Sequence, residues 1–122
     1  MGETAQPPTV LVVDDDASLR LLCRVNLELD GYRVLEAMNV AEAQGMLLAE
    51  PVDVVLLDVH VGPESGIELM RSLREQGSAP PVVLVTGTAR LDAETQAQAD
   101  GIVAKPFRLE ELLGVVRRLT SR

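Results

Sequence analysis

Short apolar runs punctuate the chain: Val10-Leu11-Val12-Val13, Val54-Val55-Leu56-Leu57, Val82-Val83-Leu84-Val85 and a weaker Ile102-Val103-Ala104. They are rich in β-branched side chains and do not alternate with polar ones, as expected of parallel strands covered on both faces. Tyr32-Arg33-Val34-Leu35-Glu36 is half polar and reads as a further strand nearer the sheet edge. Between the runs the spacing turns helical. Leu19, Leu22, Asn26 and Leu29 fall on one side of a first helix, with Cys23 beside them. Asn39 followed by Glu42, and Ser65 followed by Glu68, open a second and a third helix; the latter pair has the spacing of a capping box. The last helix carries Leu109, Leu112, Leu113, Val116 and Leu119 on its inner side, with Glu110 and Glu111 in the first turn and Arg117 and Arg118 in the last, complementing the helix dipole. From Ala89 to Ala99 only Leu91 and alanines can be buried, so a short, weakly anchored fourth helix is expected there. The pattern is βα repeated: an α/β, doubly wound fold with a five-stranded parallel sheet, five helices and right-handed connections.

Composition narrows the function classes. A chain of 122 residues is long enough for one ordinary core, and its 47% hydrophobic content is that of a globular protein. The lone Cys23 excludes an internal disulfide framework. No apolar run approaches the ~18 residues of a membrane span. Met1 to Pro8 lacks the basic-then-apolar order of a signal peptide. The net charge of −8 argues against a nucleic-acid surface, which needs positive charge. A cytoplasmic single domain over residues 9–121, preceded by a flexible leader at 1–8, is the expectation.

In open sheets of this kind ligands bind at the carboxyl ends of the strands. Asp14-Asp15-Asp16 follows the first strand, Asp58 the third, Thr86 the fourth and Lys105-Pro106 the fifth. Singly, each has an ordinary explanation as helix cap, turn residue, last strand residue or exposed charge. Together they place carboxylates, a hydroxyl and an ammonium in one crevice. Carboxylates at close range repel and stay protonated unless opposite charge intervenes. Lys105 alone does not neutralise Asp14, Asp15 and Asp58, so a cation is implied. Oxygen ligands without His or Cys favour a hard divalent ion, and a half-open, watery site favours Mg²⁺. Such an ion beside a carboxylate, a lysine and a hydroxyl is the equipment for phosphoryl transfer to a carboxylate.

At this point the chain resembles the receiver domain of two-component response regulators, over about residues 9 to 121. The motifs are Val-Val-Asp-Asp-Asp at 12–16, Leu-Leu-Asp at 56–58 followed by Gly66, Val-Thr-Gly at 85–87 and Lys-Pro-Phe at 105–107. The resemblance implies a flavodoxin-like strand order of 2-1-3-4-5 and a signalling module rather than an enzyme. It makes Asp58 the acceptor of a phosphoryl group from the phosphohistidine of a sensor histidine kinase or phosphotransfer protein. Asp15 and Asp58 would ligate Mg²⁺ directly, joined by the backbone carbonyl of His60, with Asp14 acting mainly through metal-bound water. Lys105 would pair with a phosphoryl oxygen, beside a Lys-Pro bond that is usually cis in such domains. Thr86 would be the switch hydroxyl. The readout would be a surface of the fourth helix, fifth strand and fifth helix, used by an unidentified effector protein, with the chain a monomer or a phosphorylation-dependent dimer. His60 and Thr88 fall where the family flanks the in-line path of water.

Two departures fall on that readout surface. Ile102 stands where the family commonly has an aromatic, and the interval from Thr86 to Lys105 is short by about three residues, nearly one helical turn. Asp16 is expected to cap the first helix and Cys23 to be inert core. Two further readings stay open. Asp14-Asp15-Asp16-Ala17-Ser18 also looks like the nucleophile motif of haloacid-dehalogenase-like phosphohydrolases, with Asp14 as nucleophile and Asp16 as general acid. The other is a phosphate-independent binding module on the same fold.

Overall fold

A computed structural model describes residues 6–77, 79–87 and 90–120. Its elements in chain order are β1 (Thr9–Val13), α1 (Ala17–Leu29), β2 (Arg33–Ala37), α2 (Val40–Ala49), β3 (Val54–Asp58), β4 (His60–Val61), β5 (Glu64–Ser65), α3 (Gly66–Glu75), β6 (Val82–Thr86), α4 (Ala93–Gln98), β7 (Gly101–Ala104) and α5 (Leu109–Thr120). The main sheet runs β2-β1-β3-β6-β7, every pairing parallel. Numbered among those five strands alone, this is the expected order 2-1-3-4-5. A small antiparallel hairpin, β4-β5, is the one element the apolar pattern did not announce. It is too short to show a period. Gly62 in its turn has φ +61, a value that L side chains rarely adopt.

β1, β3 and β6 are buried along their whole length, as their unbroken apolar runs require, while the edge strands β2 and β7 are partly exposed. Apolar side chains pack on both faces of the sheet. One cluster joins Leu11, Val55, Leu57 and Leu84 to Leu69, Met70 and Leu73 of α3. The other joins Val10, Val12, Leu56 and Val83 to Cys23 and Leu27 of α1 and Leu112 and Val116 of α5. Asn39, Ser65 and Asp92 cap α2, α3 and α4, and Asp16 caps α1 as expected.

The inner face of α1 differs from the sequence expectation. Leu19, Cys23 and Leu27 face the sheet, whereas Leu22 is exposed and Leu29 is 82% exposed. The helix has more leucine and valine than one face can hold, so periodicity alone left its rotation open. In the rotation adopted, Arg20 and Arg24 both reach Glu36 on β2, and Leu21, Leu22, Val25 and Leu29 face outward.

The fourth helix is short, as expected, and Thr95 is its buried residue. It is tied to α3 by polar contacts. Arg74 donates to the Gln98 carbonyl from Nε at 3.0 Å and from Nη2 at 2.7 Å, and it pairs with Asp100. Arg71 reaches Thr95 Oγ1 at 3.4 Å and Glu94 at 3.8 Å. Most of the leader at 1–8 lies outside the described residues; the Pro8 carbonyl accepts from Arg33 at 2.9 Å. Among the described residues no helix is long and apolar enough to cross a membrane.

Candidate functional site

Strand register brings the site together. Val13 pairs with Leu57, Asp58 with Val85, and Thr86 with Ala104. Asp14, Asp58, Thr86 and Lys105 therefore leave the sheet within one row of its carboxyl edge. The row is stitched by backbone bonds beyond the strands: Asp14 N to Ala37 O at 3.1 Å, Val59 N to Val85 O at 3.2 Å and Lys105 N to Thr86 O at 2.7 Å. The Lys105-Pro106 peptide is cis, as the resemblance implied. Gly66 has a steric role: a Cβ there would sit 2.0 Å from the Asp58 carbonyl oxygen, so only glycine lets α3 start against the Asp58 backbone.

Asp14 and Asp58 are buried, at 3% and 7% exposure, Thr86 is buried, and Asp15 is exposed at the mouth. Lys105 Nζ lies 3.3 Å from Asp14 Oδ2 and 3.3 Å from Asp58 Oδ2, bridging the two carboxylates. Their other oxygens accept backbone amides, Asp16 N to Asp14 Oδ1 at 2.9 Å and His60 N to Asp58 Oδ1 at 3.3 Å. Cys23, Leu56, Phe107 and Leu112 form an apolar floor beneath the acids. Burial on that floor pushes the Asp14 carboxyl above its usual range; Asp58 adds to the rise, while the Asp16 amide and Lys105 oppose it. Burial pulls Lys105 down, but Asp14 and Asp58 outweigh it and hold the ammonium above its ordinary value. Burial pushes the Cys23 thiol up to about 11, which keeps it inert.

The donor set fits a hard divalent cation. Asp14, Asp15 and Asp58 each offer a carboxylate oxygen, and these oxygens lie within 4.8 Å of one another. With all three ionised, Lys105 cancels one charge and leaves two, the charge of such an ion. An exposed mouth at Asp15 lets the ion keep waters, as Mg²⁺ requires.

The family model for the response regulator receiver domain matches residues 10–117. The chain belongs to this family. The receiver domain is similar to the response regulator MprA of Mycolicibacterium vanbaalenii, 37% identical over 119 residues that cover 95% of this chain and 52% of the relative. It thus spans about half the length of the curated relatives it matches. In structure it is similar to the response regulator TrrA of Thermotoga maritima in complex with Mg²⁺-BeF, with a TM-score of 0.83, 31% identity and coverage of 92% of this chain and 98% of that one. It is also similar to the receiver domain of Francisella response regulator 1452, with a TM-score of 0.87, 28% identity and coverage of 94% and 98%. Two-component signalling is the setting of this domain, and its role there is that of a signalling module.

The structure brings together Asp14, Asp15, Asp58 and Lys105, and ties the Thr86 backbone to Lys105. The His60 amide reaches Asp58 while its side chain is exposed, and Thr88 lies outside the described residues. Asp16 Oδ1 accepts Ser18 N at 2.9 Å and Leu19 N at 3.3 Å, so the carboxyl that a haloacid-dehalogenase-like reading needs as general acid is engaged as a helix cap. Sequence reasoning missed Arg20, whose Nη1 donates to the Asp14 carbonyl at 2.6 Å. Nothing in a linear pattern marks a charge that acts on a backbone oxygen behind the site.

Proposed function

We propose that this receiver domain accepts a phosphoryl group onto Asp58 from the phosphohistidine of a sensor histidine kinase or phosphotransfer protein. Mg²⁺ would be held by Asp15, Asp58 and the His60 carbonyl, with Asp14 acting through bound water. One observation carries the reading: Lys105 Nζ sits at 3.3 Å from both buried carboxylates, with Asp58 at the centre of the row. A buried carboxylate fixed by a backbone amide is a placed nucleophile.

In the transfer an Asp58 carboxylate oxygen attacks phosphorus and a P–O bond forms. The donor's P–N bond breaks, and its electron pair returns to the imidazole nitrogen. Bound Mg²⁺ supplies charge neutralisation for the phosphoryl oxygens. Lys105, already at the pocket rim, exchanges a carboxylate partner for a phosphoryl oxygen. The buried Thr86 hydroxyl would then donate to a phosphoryl oxygen, drawing the end of β6 inward. A bias of ~1–3 kcal/mol changes the balance of the two forms about 5- to 150-fold, which is enough to signal. The Thr86 carbonyl holds the Lys105 amide, so that movement reaches β7 and the surface of α4, β7 and α5. Ile102, exposed on β7, takes the place of an aromatic there, so the effector meets an aliphatic contact. We place the chain in the cytoplasm with its donor, as a monomer or a phosphorylation-dependent dimer.

Transfer from a phosphorylated histidine donor tests the reading. Label is expected to move to this chain with Mg²⁺ and not with EDTA, and not to Asp58→Asn. Equal labelling of Asp58→Asn would reject Asp58 as acceptor. Absence of labelling in the wild-type chain would favour the phosphate-independent module.

A further inference from the structure

Behind the acidic pocket lies a charged cluster that the phosphoryl chemistry does not use. Arg20 sits at the start of α1 with its side chain only 15% exposed. Its Nη1 donates to the Asp14 carbonyl at 2.6 Å, and its Nε donates to Glu36 Oε1 at 3.1 Å. The other Glu36 oxygen accepts from Arg24 Nη1 at 2.7 Å, so the carboxylate is clamped between two guanidinium groups. Glu36 precedes Ala37, whose carbonyl accepts the Asp14 amide. Asp14 is therefore held at its amide by β2, at its carbonyl by Arg20 and at its carboxylate by Asp16 N and Lys105. Asp15 differs, because its carboxylate is exposed and takes its place from the backbone.

The Asp14 carbonyl belongs to the peptide unit that begins Asp15. A bond to that oxygen fixes the peptide plane and with it the direction in which Asp15 leaves the chain. We propose that Arg20, braced by Glu36, is a positioning residue that sets the Asp14-Asp15 peptide and thereby the divalent-cation affinity of the pocket. The inference rests on the reading of the pocket as a Mg²⁺ site. Its mode of action is geometric. Arg20 holds the Asp14 carbonyl directly, and its charge is paired with Glu36. Partners that orient metal ligands from behind typically change affinity about 10- to 100-fold when removed.

Isothermal titration of the full chain with MgCl₂ tests this, with melting in EDTA recorded for each variant. Arg20→Met is expected to weaken Mg²⁺ binding about tenfold. Arg20→Lys, which keeps a donor for the carbonyl, should recover part of the loss, and Glu36→Gln should fall between wild type and Arg20→Met. In amide spectra the Asp15 resonance should move in Arg20→Met more than the resonances of α5. Wild-type affinity in Arg20→Met overturns the proposal, as does a loss that follows melting with no recovery in Arg20→Lys. Should Arg20→Met not fold, wild-type affinity in both Arg20→Lys and Glu36→Gln overturns it equally. A wild-type chain that takes up no Mg²⁺ would instead reject the metal site, and this assignment with it.

Discussion

Asp14 is buried, and its carboxyl is held above the usual range chiefly by burial. A carboxyl whose folded pKa exceeds its unfolded value favours folding while protonated. It costs stability once the pH has risen through the folded value. For the metal-free protein, Asp14→Asn is therefore expected to melt above wild type near pH ~7, and the gap should close as the pH falls into the carboxylate range. Asparagine keeps an oxygen for the Asp16 amide, and Lys105 keeps Asp58 as its carboxylate partner. Lys105, held above its ordinary value, stays charged in the wild type across that pH range. Melting in EDTA checks this, and a lower melting point for Asp14→Asn at neutral pH would contradict it. At this scale Asp14, Asp15, Asp58, Thr86 and Lys105 were legible because each ends a strand, and a parallel sheet gathers strand ends. Arg20, Glu36 and the steric demand at Gly66 were not, because each depends on a contact between elements remote in sequence.

Elements were legible where one physical signal dominated. The buried strands follow unbroken apolar runs, and three helix starts follow Asn39, Ser65 and Asp16, whose side chains accept backbone amides. The rotation of α1 was not legible, since surplus leucines gave two overlapping stripes, of which Leu19, Cys23 and Leu27 pack against the sheet. Two leucines test that rotation. Leu27→Ala removes a fully buried side chain and should cost about 2–5 kcal/mol in chemical denaturation. Leu29→Ala should change stability by no more than about 0.5 kcal/mol. Comparable losses would contradict the rotation. α4 was legible as short but not in how it is held. Its contacts to α3 run through Arg71 and Arg74, and polar contacts at a surface open more easily than a buried stripe. Hydrogen exchange should show α4 amides opening well before those of α5, and Arg74→Met should speed α4 further while leaving α5 unchanged. Equal protection of the two helices would contradict this.

At the scale of the whole molecule, the order β2-β1-β3-β6-β7 matters because the strand order reverses between β1 and β3. The loops after β1 and β3 then open toward a shared crevice, and the acids they carry are forced together. Lys105 between Asp14 and Asp58 eases the repulsion there, and the three carboxylates form a donor set that suits a divalent cation. Asp16 caps α1, and Asp58 stands at the end of the central strand β3. Locating the acyl phosphate decides the matter most directly. The chain would be treated with a small phosphodonor and Mg²⁺, reduced with borohydride and mapped by peptide mass spectrometry. The modification is expected on the peptide carrying Asp58 and to vanish in EDTA; a modification on Asp14, or one indifferent to Mg²⁺, would contradict the account.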